Sequence, residues 1–123
     1  MALARDISRG GISGGTAQAI NGTNATGLTA AGTTITDALD LTASTNSVST
    51  CAAGAGVQLP SMQIGDSCVV YNGVQANACL VYPESATVAI NQLAVGSGVQ
   101  VPAQTAALFV KITSTTVVAF MSR

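Results

Sequence analysis

The stretch Ala106-Ala107-Leu108-Phe109-Val110-Lys111-Ile112-Thr113-Ser114-Thr115-Thr116-Val117-Val118-Ala119-Phe120-Met121 reads as a β-hairpin. Its residues alternate with a period of two. Ala106, Leu108, Val110 and Ile112 share one face, Ala107, Phe109 and Lys111 the other, and Thr113-Ser114-Thr115 supplies the turn. The second strand repeats the pattern, with Val118 and Phe120 on one side and Val117, Ala119 and Met121 on the other. Both faces are largely apolar. An antiparallel sheet in a lone domain normally turns one polar face to water, so two apolar faces imply that one is covered by another chain. Phe109, Val117 and Met121 are the expected subunit or capsid contacts on the hairpin. The competing reading is that small Ala and Val side chains are tolerated on an outer face.

Outward from the hairpin, apolar runs recur at roughly 8 to 12 residue spacing between turn residues, the pattern of a sandwich or barrel. Strands are expected near Thr33–Ile35, Ser47–Ala52, Gly56–Leu59, Ser67–Asn72, Ala76–Tyr82, Thr87–Ile90, Gly98–Val101, Ala106–Ile112 and Thr116–Met121. Asn72-Gly73 favours the positive φ of a tight turn. Pro60, Pro83 and Pro102 close strands because they lack a ladder donor. Helix is at most a turn at Thr36–Leu41. The fold class expected is all-β, an antiparallel, jelly-roll-like β-sandwich over residues 28–123.

Residues 1–27 differ, being rich in Gly, Ser, Thr, Asn and Ala around Gly10-Gly11-Ile12-Ser13-Gly14-Gly15. By composition this is an extended N-terminal arm, too poor in apolar area to offset its own ordering entropy. A neighbouring subunit or a larger partner surface is the expected support. Ile7, Ile12 and Ile20 are its apolar anchors, with Arg5 and Arg9 available for carboxylates.

Composition narrows the function classes. Only 7% of the 123 residues are charged and none is His, against about a quarter charged in ordinary soluble domains. General acid–base chemistry at neutral pH draws most often on His, so a structural or binding role is expected, with no catalytic residue. The net charge of -1 and the lack of a basic stripe argue against nucleic acid. Apolar runs such as Ala106–Val110 and Val117–Met121 are far short of the roughly 20 residues a membrane helix needs. No secretory leader is visible, and synthesis in a host cytoplasm is expected.

Other candidates read as structure. Cys51, Cys68 and Cys79 are odd in number, lack C-x-x-C spacing and have no His to complete a zinc site, so buried free thiols are expected. Asp37 and Asp40 are too few oxygens for calcium and suit capping or turn-making. Asp66 and Glu84 follow Gly65 and Pro83 and read as turn residues. A Ser–Lys dyad would need Lys111, whose place in the alternating strand suggests a solvated surface amine. No metal or cofactor site is expected.

Residues 36–93 carry a string of pieces, namely Ala38-Leu39-Asp40-Leu41-Thr42-Ala43, Ser47-Val48-Ser49-Thr50, Gly56-Val57-Gln58-Leu59-Pro60, Gly65-Asp66, Val69-Val70-Tyr71-Asn72, Leu80-Val81-Tyr82-Pro83 and Ile90-Asn91-Gln92-Leu93. Their order resembles a small β-sandwich module of tailed-bacteriophage virion proteins, which serves as a capsid cement or decoration protein and in tail fibres and spikes. Where such relatives often place a Trp near the C-terminal strand, this chain has Val117 and Val118. The resemblance implies a homo-oligomer, dimer or trimer, on the exterior of a virion capsid with the major capsid protein as partner. The alternative it implies is a receptor- or carbohydrate-binding module of a tail fibre, with Tyr71 and Tyr82 as sugar platforms.

Overall fold

The computed structural model describes residues 22–122. It is all-β. Among the described residues the strands are β1 (Asn24–Thr29), β2 (Leu39–Asp40), β3 (Thr45–Thr50), β4 (Gly56–Gln58), β5 (Ser67–Asn72), β6 (Cys79–Tyr82), β7 (Ala89–Ile90), β8 (Val99–Val101), β9 (Thr105–Thr113) and β10 (Thr116–Met121). The larger sheet has the order β1-β3-β5-β9-β10-β7 and the smaller β2-β4-β6-β8.

From β1 to β9 every strand lies in the opposite sheet from its predecessor. The chain therefore winds in coils. Asn24, Thr45 and Val69 stand side by side in parallel strands, in steps of 21 and 24 residues. Leu39, Val57 and Val81 do the same in the smaller sheet, in steps of 18 and 24. Among the described strands only β6–β8, β5–β9 and β9–β10 pair antiparallel, with an isolated antiparallel bridge between Ala31 and Gly56, and β7 rejoins β10 in parallel. The expected antiparallel, jelly-roll-like sandwich is thus corrected to two mixed sheets. The physical reason is that a period of two marks a strand's faces but says nothing about its neighbour's direction.

Eight of the nine expected strands are present in some form. Thr33–Ile35 is instead a turn, in which the Ala38 N–H donates to the Thr34 carbonyl at 3.0 Å. The strands β1 and β2 lie outside the expected set, and Asn24 to Gly27 of the expected arm belong to β1. Asn72-Gly73 makes no positive-φ turn. Asn72 is buried, and its amide donates to the carbonyls of Asn77 (2.9 Å) and Val101 (3.0 Å) while its oxygen accepts the Val74 N–H.

Such amides do much of the work at the corners, where a coil leaves carbonyls without a ladder partner. Asn46 donates to Ala43 O (2.9 Å) and, one coil on, to Val69 O (3.2 Å). Gln58 reaches Glu84 O, and Asn77 reaches Cys51 O. Pro60, Pro83 and Pro102 follow the ends of β4, β6 and β8 as expected. Between the sheets lies a core of β-branched side chains, Val48, Val57, Val70, Val81, Ile90, Val101 and Val117, around the single large ring of Phe109. Cys51, Cys68 and Cys79 are buried and unbridged within it.

Candidate functional site

The two sheets differ on their outer sides. On the smaller one the Tyr82 ring lies between Gly56 and Gly98, where an added Cβ would come within 2.9 and 3.0 Å of ring carbons. Glycine at both positions is what lets the ring lie flat on the strands. The Tyr82 hydroxyl donates to the Thr33 carbonyl at 3.0 Å, tying the segment 30–38 to this ring, and only 7% of the residue is exposed. Asp37 shapes that segment: its Oδ1 accepts the Thr34 hydroxyl (2.7 Å) and the N–H groups of Thr34 (2.8 Å) and Thr33 (3.1 Å). The Thr34 hydroxyl and the N–H groups hold the carboxyl below its ordinary pKa, and the turn-making role expected of Asp37 is the one it plays.

Among the described residues no segment is tied in this way across the larger sheet. The outward residues of β9 are Ala106, Leu108, Val110 and Ile112, flanked by Val69 and Tyr71 of β5 and by Val118 and Phe120 of β10. Leu108, Ile112 and Phe120 are 37%, 49% and 56% exposed. Farther out, β3 presents Thr45, Ser47 and Ser49. No Asp, Glu, Lys or Arg lies on these outward positions. At the hairpin end a shallow groove of about 590 Å³ is lined by Ile112, Thr116 and Val118 with Asn91 and Gln92. Asn91 is fixed there because its oxygen accepts the Ala119 N–H at 2.9 Å, extending the short β7 ladder with a side-chain acceptor. An apolar centre with a neutral polar rim is the anatomy of a protein contact surface.

The hairpin expected from the sequence is present, and the face named for contacts is the one turned to the core. Phe109 and Val117 are fully buried in this chain's own core and cannot serve as contacts; Met121 is half-buried against the same core. Periodicity separates two faces without saying which points inward. Lys111 made the choice harder, because it sits on the buried face and is not the solvated amine expected. Its Nζ donates to Glu84 Oε2 and to the Met62 carbonyl, both at 2.9 Å, and Glu84 Oε1 accepts the Met62 N–H at 3.0 Å. Glu84 is therefore more than a turn residue. The only Lys and the only Glu in the sequence were the available signal, since a buried cation requires an acid.

Asp66 does make a turn, accepting the Gln63 N–H at 2.9 Å. The thiols of Cys68 and Cys79 are pushed up to about 11 and about 12, first by burial and, for Cys79, then by Cys51 beside it, which keeps both protonated at neutral pH. Arg5, Ile7, Arg9, Ile12 and Ile20 lie outside the described residues. Among the described residues no three of His, Cys, Asp and Glu converge as metal ligands. No family model, no curated protein and no solved structure matches this chain.

Proposed function

We propose that this chain is a virion structural protein, a cement or decoration protein without catalytic activity, whose coils form a short β-solenoid that oligomerises on the outside of an assembled capsid. The observation that carries the reading is the uncharged apolar outer face of the larger sheet, where Leu108, Ile112 and Phe120 are exposed. A surface of this kind suits contact with further polypeptide better than lasting exposure to water.

The mechanism is thermodynamic. A protein that binds the assembled shell and not its dispersed subunits stabilises the shell by mass action, and repeated copies add avidity. In this reading Ile7, Ile12 and Ile20 of the N-terminal arm are the anchors on capsid subunits, and Arg5 and Arg9 pair with capsid carboxylates. A sugar-binding tip draws less support, because Tyr82 is buried and tied to Thr33, leaving Tyr71 as the only exposed tyrosine of the two.

The test is occupancy on heads purified from virions that carry the chain. Full-length protein is expected to rebind stripped heads, and protein lacking residues 1–21 is expected to lose that binding while keeping its circular dichroism spectrum. Full occupancy by the truncated protein would overturn the role of the arm, and density for the chain on the tail of intact virions would overturn the capsid assignment.

A further inference from the structure

We propose that the occupant of the bare face is a second copy of this chain, packed face to face about a twofold axis that crosses the strands near Val110 and Val118. This deepens the preceding reading and rests on its premise that the face is covered by polypeptide.

Charge selects the occupant. A twofold interface sets each patch against itself or its mate, so any charge near the axis would meet its own kind. This face carries none: Leu108 stands in register between Val69 and Phe120, Val110 between Ser67 and Val118, and Ala106 beside Tyr71. Nucleic acid or a strongly charged partner would find nothing here to neutralise. Shape agrees, because two sheets of the same twist pack face to face about 10 Å apart.

The axis follows from the relief of the face. Phe120 projects at one end of β10, and the groove between Ile112, Thr116, Val118, Asn91 and Gln92 lies at the other. A twofold across the strands lays β10 over its mate in the opposite direction. Each Phe120 then enters the partner's groove, and Val110 lies near its own counterpart. The size is modest: five strands about 4.8 Å apart and about 20 Å long, with the two-residue β7 beside them, give roughly 500 Å² per copy. Two such faces reach about 1,000 Å², the least a specific interface should clear. A dimer in the micromolar range is expected, which a capsid lattice would reinforce.

The experiment is sedimentation equilibrium on the full-length chain, with folding of every variant checked by circular dichroism and thermal melting. The wild type is expected to be dimeric in the micromolar range. Val110→Lys and Phe120→Ser should each weaken the dimer by at least about 30-fold, whereas Gln100→Lys, on the smaller sheet, should leave it unchanged. Mixing Val110→Lys with Val110→Asp should restore a one-to-one heterodimer, an outcome that a misfolded variant cannot give. A wild type that stays monomeric at about 100 μM overturns the proposal, as does a closed trimer, a dimer that neither substitution weakens, or a mixture that does not reassociate. The two readings fail separately. A monomer that needs residues 1–21 to bind heads removes the dimer alone, and a dimer with no affinity for heads removes the capsid role alone.

Discussion

The outer side of the smaller sheet and that of the larger sheet are built from the same kinds of short strand, yet among the described residues only the smaller is capped, by a buried ring and the segment tied to it. On the smaller sheet two glycines leave room for the Tyr82 ring, and the ring's hydroxyl holds the segment 30–38. On the larger sheet Leu108, Ile112 and Phe120 stand bare. The difference separates stability from association. Contacts on the covered side act within one molecule, while the apolar area on the bare side contributes only when another chain arrives.

The largest expected effect comes from the tie between the sheets. Lys111 projects from β9 of the larger sheet and meets Glu84, which follows β6 of the smaller, together with the Met62 carbonyl. Lys111→Met leaves the mostly buried Glu84 carboxylate without its cation, and a loss of about 3 kcal/mol in urea unfolding is expected. Adding Glu84→Gln should recover much of that loss, because the uncompensated charge is then gone. A single variant as stable as the wild type would show that the pair does not link the two sheets energetically.

Lys111 also marks where the sequence stopped being readable. Its alternating neighbours made β9 and β10 legible, since a hairpin's pairing is local and its two faces follow from a period of two. The coils were not legible: parallel partners such as Thr45 and Val69 are 24 residues apart, and no local pattern distinguishes them from antiparallel partners. The strand β1 was hidden by its polar composition, Asn-Ala-Thr-Gly-Leu-Thr, which suits an edge strand exposed along most of its length. The two-residue β2 is too short for any periodicity to show. For the candidate site, alternation gave both faces of the hairpin and could not decide between Phe109 and Phe120. That decision rests on Phe109 being fully buried in one core cluster with Val48, Val70 and Val101, a matter of packing across the whole fold.

A middle-sized effect probes the covered side. Tyr82→Phe removes the hydroxyl that donates to Thr33 O and leaves the ring between its glycines. About 1 kcal/mol of stability should be lost. Amide exchange should rise chiefly in residues 30–38, because opening of a tied segment is a local event. Faster exchange spread evenly over both sheets would mean that the tyrosine supports the core rather than the segment.

The smallest expected effect is on the bare side and depends on concentration. Phe120 is 56% exposed, so in an isolated molecule Phe120→Ser removes little buried area and should change unfolding free energy by no more than about 0.5 kcal/mol. At protein concentrations where copies associate, the wild type gains apparent stability by mass action and the variant does not. The two melting curves should therefore coincide in dilute solution and separate as concentration rises. Curves that differ by the same amount at every concentration would place Phe120 among the supports of the single fold, and the contrast between a covered side and a bare one would no longer hold.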